Sequence, residues 1–377
     1  MTYTIVRYQD TTQEIWDGWV QKIVGTAYYH TWHWIQFISH FPHVKENLSF
    51  VILDGSSSDP LAVCPLAVSQ REEEGEPVFA FGDFFCGAPA VDTPRPSDRR
   101  KILDYIFSII LSHQQTKKCR EISFGWHPLN STIFENNGQL GFAYSFELLR
   151  YNLVYAVENT LVMDLHLSEE ELAHNVGQYQ YRHIKRGRKK GLLVETYNKE
   201  NNSTALKDAL HMFQLAHATA AGRTTRPQGT WDAMYDGLKA GKASLFIVHT
   251  SDSIPISYLY CGEYGKMAFG WSQANVKEYE EAFSPRHLLE WTAILYYKSR
   301  GFAYYEVGER YFGPQFSYVP SDKEISISVF KERYGGALLP KVKWIGYFEI
   351  VAMEKAYRGH MEDFLRAKRP VSIPEER

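Results

Sequence analysis

Cysteine is scarce in this chain of 377 residues, and the four present, Cys64, Cys86, Cys119 and Cys261, stand far apart. No C-x-x-C pair occurs, so neither a zinc cluster nor a disulfide scaffold is expected, and the usage fits a reducing compartment. Long apolar runs are missing too. Stretches such as Ile102–Leu111 fall well short of the roughly 20 residues that cross a bilayer. The N-terminal stretch Met1–Asp10 lacks the apolar core of a signal peptide. We therefore expect a cytoplasmic protein with no membrane span. A large excess of one charge is also absent. The net charge of −3 gives no general attraction to DNA. There is no G-x-S-x-G elbow, no H-E-x-x-H and no Walker loop, which argues against an elbow-serine hydrolase, a zincin and a P-loop nucleotidase. The 14 histidines show no ligand spacing, and no metal is expected.

What is present is a globular composition, 44% apolar and 23% charged, on a chain long enough for two domains. Tyrosine (25) and tryptophan (9) are abundant enough to fill cores and still line a groove for a polar ligand. In the first half the pattern predicts strand 3–8, helices 14–24 and 32–40, strands 48–53 and 61–69, helix 99–115 and strand 121–126. After a boundary near residue 150 the plan repeats. Helices 168–190, 204–220 and 231–239 precede strands 244–250, 254–261 and 266–272. Helix 285–300, with Ser284 as N-cap, leads to strand 303–308, and a further β-rich run covers 324–329. Hairpin, helix, strand in each half is an α+β order. The domains expected are 1–150 and 151–367, with a loose tail at 368–377.

From Tyr179 to Gly336 several features follow one another in order. A basic helix, Arg182-His183-Ile184-Lys185-Arg186-Gly187-Arg188-Lys189-Lys190-Gly191, comes first. Ile254-Pro255-Ile256-Ser257-Tyr258 and Phe269-Gly270-Trp271-Ser272-Gln273-Ala274-Asn275 follow. Then come Ser284-Pro285, Tyr304-Tyr305-Glu306-Val307-Gly308, and Phe330-Lys331 leading to Gly335-Gly336. In this order the chain resembles the FemAB-like branch of the GNAT acyltransferases. The resemblance implies two tandem GNAT-like domains and transfer of an acyl or aminoacyl group to an amine. The acceptor would be an amino sugar, free or nucleotide-linked, or another envelope or polysaccharide precursor. An aminoacyl-tRNA-dependent transferase, with tRNA as partner, is one alternative. A non-catalytic component of a polysaccharide system is another.

Amine acylation needs a neutral amine, an activated donor and a stabilised oxyanion, with no covalent enzyme intermediate. The resemblance places Lys331 at the acyl-transfer site. Glu306 is a candidate base for the amine. Tyr258, Ser272 and Asn275, on or just after central strands, are candidate substrate contacts. Glu309 and Arg310 could bind ligand as a pair or merely bind each other. Arg182, Arg186 and Lys189 share a helix face and could meet phosphate or only solvent. The segment before Pro285 has no glycine and carries Glu280 and Glu281, so a backbone cradle for pyrophosphate is not expected. Arg286 remains there as a cation for a donor phosphate. The donor stays open between acyl-CoA, a carrier-bound acyl group and aminoacyl-tRNA. The resemblance places Gly82–Pro89 where the family keeps a Gly-Pro loop near its cleft, with Gly87-Ala88-Pro89 here instead, and Asp83 of this loop and Trp34 are candidate acceptor contacts.

Overall fold

The computed structural model describes residues 2–82, 86–93, 95–129, 146–315 and 317–367. The first half contributes β1 (Tyr3–Arg7), α1 (Gln13–Lys22), α2 (Trp32–Ser39), β2 (Val44–Asn47), β3 (Phe50–Asp54), β4 (Pro60–Cys64), β5 (Ala67–Glu73), β6 (Glu76–Phe81), β7 (Ala90–Val91), α3 (Pro96–Lys117) and β8 (Glu121–Trp126). There follow β9 (Val154–Asp164), α4 (Glu169–Asn175), α5 (Gln178–Lys189), β10 (Leu193–Tyr197), α6 (Ser203–Ala221), α7 (Gln228–Lys239), β11 (Ala243–His249), β12 (Pro255–Tyr264) and β13 (Met267–Asn275). The remainder is α8 (Lys277–Phe283), α9 (Pro285–Ser299), β14 (Tyr304–Glu309), α10 (Asp322–Glu332), β15 (Ala337–Tyr347) and α11 (Ile350–Ala367).

The architecture is α+β with a mixed sheet. Eleven strands run in the order β10-β11-β12-β13-β14-β9-β15-β8-β6-β5-β2, and β1-β3-β4-β7 form a second sheet. Both halves carry an antiparallel hairpin, a helix and a returning parallel strand. β5-β6-α3-β8 and β12-β13-α9-β14 correspond in this way, with parallel pairs β6/β8 and β13/β14. The late strand β15 enters between β9 and β8, antiparallel to both. One apolar cluster joins the halves: Trp16, Trp34 and Phe37 pack in it with Trp231, Met234 and Tyr260.

Five helices, α1, α2, α4, α6 and α10, start at a side-chain cap. Asn202 accepts from Ala205 N at 2.9 Å, and α6 ends at Gly222 with φ +67°. Such a cap is worth about 1 kcal/mol. Five expectations need correction. The helix expected over 168–190 breaks at Gly177, whose N–H leaves the helical pattern to bond Arg333 O at 2.8 Å. The strand expected over 61–69 splits at Pro65, which has no N–H for a ladder, so β4 and β5 join different sheets. The segment before Pro285 contains a short helix, α8. Ser284 makes no capping bond and sits left-handed at φ +50°. The run read as β-rich, 324–329, lies inside helix α10. Ser321 and Glu324 form a reciprocal capping box there: Ser321 N donates to Glu324 Oε2 at 2.8 Å, and Glu324 N to Ser321 Oγ at 3.3 Å.

Candidate functional site

β13 and β14 pair over only three residues, Met267–Phe269 against Tyr304–Glu306. Beyond that point β13 stays on β12 as far as Asn275, and β14 stays on β9 as far as Glu309. The strands part and leave a wedge. Gly270 is the first residue past the last pair. A Cβ there would stand 2.9 Å from Tyr305 Oη, so only glycine passes without displacing that ring.

Two cavities meet at the wedge. One, of about 380 Å³, is bounded by Ser272 and Asn275 of β13, Val307 of β14, Arg286 and Glu290 of α9, and Lys331 of α10. The other, of about 260 Å³, is lined by Tyr28, Tyr29 and Trp34 from the first half and by Arg226, Glu306 and Glu309 from the second. They share Gly270, Trp271 and Lys331. The capping box fixes the start of α10, and the helix carries Lys331 to this junction. Gly308, at φ +115°, leaves the room: a Cβ there would collide with the Lys331 ammonium.

The carboxylates of β14 are held from several directions. Glu309 accepts from Lys341 Nζ at 2.8 Å, and Lys331 Nζ lies 3.7 Å from its other oxygen. Lys341 above all, with Lys331, holds the Glu309 carboxyl well below its usual range. Lys341 is itself buried. Burial alone would lower its basicity, but Glu309, Tyr29 and Glu306 reverse the direction and raise it. Glu306 Oε1 accepts from Thr160 Oγ1 at 2.5 Å and lies 2.9 Å from His127 Nε2. Burial would raise this carboxyl; His127 and Lys341 outweigh it, so the net shift is downward. On the other wall Glu290 is pushed up to about 7 by burial, against the opposing pull of the Tyr305 hydroxyl and Lys331.

The remaining expected residues are placed as follows. Trp34 is buried in the cavity wall. Ser272 accepts from Arg226 Nη2 at 2.8 Å, and Asn275 accepts from Ser257 at 2.5 Å. Tyr258 is buried and stacked on Phe213. Glu309 and Arg310 do not pair: Arg310 turns to Glu332 at 2.8 Å. Arg186, with Lys190, donates to Ala282 O and so closes the C-terminal end of α8. Arg182 and Lys189 are exposed. Arg286 lies over the Phe330 ring at 4.2 Å and faces Glu280 at 3.8 Å. Asp83 lies outside the described residues. Sequence reasoning missed Arg226, Glu290, Lys341 and His127. Two acids in one strand announce a need for cations, yet nothing local names Lys341 or His127, which come from strands far away in the chain.

Residues 178–314 match the profile of the acetyltransferase (GNAT) domain. No curated protein matches the chain. Among solved structures, the chain is similar to FemX, at 13% identity and a TM-score of 0.65, covering 94% of this chain and 99% of that one. It is similar to a C-terminal domain assigned to a lysylphosphatidylglycerol synthetase of Agrobacterium fabrum, at 10% identity and 0.55, covering 94% and 98%. It is likewise similar to L-PGS from Bacillus licheniformis, at 10% and 0.51, covering 94% and 97%. At such identities the likeness is one of fold.

Proposed function

We propose that the chain is an acyltransferase of the FemAB-like GNAT kind, which moves an acyl or aminoacyl group onto the amine of an amino sugar or a related envelope or polysaccharide precursor; the GNAT-domain match over residues 178–314 supports this reading. The observation that carries this reading is the junction at Lys331. The larger cavity, inside the wedge, takes the donor. The smaller, aromatic cavity takes the acceptor. Their common boundary is where a carbonyl and an amine can meet.

In this reading the neutral amine attacks the donor carbonyl and charge develops on its oxygen; collapse of the adduct leaves the amide and breaks the C–S or C–O bond to the donor, whose thiolate or alkoxide departs with the amine proton. Lys331, preorganised by α10 and by Glu309, faces that oxygen. Glu306, with its basicity lowered, is a poor proton acceptor and a good hydrogen-bond acceptor, so it orients the amine N–H. Expulsion of water by Tyr28, Tyr29, Trp34 and Trp271 strengthens each of these interactions. The donor's phosphates cannot be held here in the usual coenzyme A manner, because α8 occupies the segment before Pro285 and that proline has no N–H. This supports an aminoacyl-tRNA or carrier-bound donor, and the exposed Arg182 and Lys189 would suit its phosphates. A transferase that joins an aminoacyl group to an acceptor also fits the lysyl group in the name of one fold relative.

Two labelled donors test the proposal, acetyl-CoA and aminoacyl-tRNA, each incubated with the full chain and amino-sugar acceptors. Label should pass to the amine with one of the donors, and Lys331→Met should lower that transfer by roughly 10²–10³. Transfer from neither donor, or transfer indifferent to Lys331, would overturn it.

A further inference from the structure

Arg226 stands apart from the other cations of the site. Lys331 and Lys341 both reach Glu309. Arg226 has no carboxylate within ion-pair distance among the described residues. Its polar partners are neutral: Ser272 Oγ at 2.8 Å and Met234 Sδ at 3.4 Å. Its guanidinium lies over Trp231 at 5.3 Å and near Phe37 at 5.9 Å. Burial lowers its pKa to about 10. A half-buried guanidinium that lies among aromatic rings with no carboxylate beside it is ready to meet an anion that a ligand supplies.

Arg226 reaches the smaller cavity from the segment between α6 and α7, on the side of β13. Glu306 and Glu309 line the same cavity from β14. One wall therefore suits an anion and the other an N–H donor, with aromatic rings between them. We propose that this cavity takes an amine that also bears a carboxylate, with Arg226 holding the carboxylate and the amine turned toward Lys331. The inference rests on the acyltransferase reading and narrows its acceptor to an amino-acid-like end. Size and charge decide between anions. At about 260 Å³ the cavity matches a group of amino-acid size. A planar guanidinium fork matches a carboxylate with two parallel bonds. A phosphate dianion asks for more than one free cation.

Calorimetric titration of the full chain with L-alanine, L-alaninol and phosphoethanolamine tests it. L-alanine should bind at least about tenfold tighter than L-alaninol, since the alcohol leaves the guanidinium unpaired. Arg226→Gln should bring the two within about twofold, and Arg226→Lys should fall between, a point charge replacing a fork. Should Arg226→Gln unfold, the wild-type ratio and Arg226→Lys decide alone. Equal binding of alanine and alaninol, tighter binding of phosphoethanolamine, or no binding of any probe at millimolar concentration would each overturn the proposal. Acyl transfer to alaninol as fast as to alanine would sink this inference and keep the acyltransferase. Tight carboxylate binding with no transfer from any donor would do the reverse.

Discussion

Tyr305 donates its hydroxyl to Glu290 Oε1 at 2.7 Å, across the base of the wedge where β13 leaves β14. The bond ties α9 to β14 just below Gly270, the point at which the strands separate. It also leaves a buried carboxyl in the wall of the donor cavity.

That carboxyl makes stability depend on pH. Its folded value is about 7 against an ordinary 4.5. Between these values the folded protein keeps a proton that the unfolded chain has lost. Its contribution is thus complete below about pH 4.5 and fades as pH rises toward 7. Glu290→Gln keeps the shape and cannot ionise. Denaturant melts should show the mutant gaining on wild type between pH 5 and 8, by a total on the order of 3 kcal/mol. A constant difference across that range would mean the carboxyl is not protonated in the fold.

Lys341 is buried against Glu309, and removing it strands a carboxylate. Lys341→Met should cost about 3–5 kcal/mol in urea melts at neutral pH. Adding Glu309→Gln should restore much of the loss, because no charge is then left buried. Additive losses in the double variant would contradict the pairing.

Lys331 is about a quarter exposed and stands 3.7 Å from Glu309, a longer contact than that of Lys341. Lys331→Met should leave the melting curve nearly unchanged while turnover drops by roughly 10²–10³. Lys331→Arg should recover only part of it. A variant within about twofold of wild type would mark the residue as a bystander.

Gly308 holds φ +115° with the Lys331 ammonium beside it. Gly308→Ala should therefore do two things at once. Backbone strain should cost about 1–3 kcal/mol, and the displaced lysine should lower turnover as Lys331→Met does. Crystals of the variant would show whether Nζ has moved from Glu309. An unmoved lysine with full activity would refute the close-approach argument.

Much of the second half could be read from its sequence because its signals are local. There Pro285 with Gly301 brackets α9, and in the first half strand 121–126 matches β8 to the residue. The error over 324–329 shows the limit of composition. Isoleucines, serines and a valine favoured a strand, while the Ser321–Glu324 capping box, also present in the sequence, pointed to a helix and prevailed. Lys331 could be singled out through the Phe330-Lys331 match in the resemblance, and Glu306 as an acid within a recognisable strand. Arg226, Glu290 and Lys341 could not, since each becomes distinctive only through tertiary partners, Ser272, Tyr305 and Glu309, that lie on other elements. Glu309 could be named but not paired. Its neighbour Arg310 is adjacent in sequence, yet points away along an alternating strand.

The insertion of β15 between β9 and β8 also governs how the molecule can be made. Synthesis proceeds from the N-terminus, so β8 and β9 emerge long before the strand that bridges them. Until residues 337–347 leave the ribosome, both present unpaired backbone groups along one side. Such open edges invite pairing with other chains. A nascent chain stopped short of Ala337 has both catalytic candidates, Glu306 and Lys331, yet lacks Lys341 and a continuous sheet, and its passage through that interval depends on being kept from its neighbours.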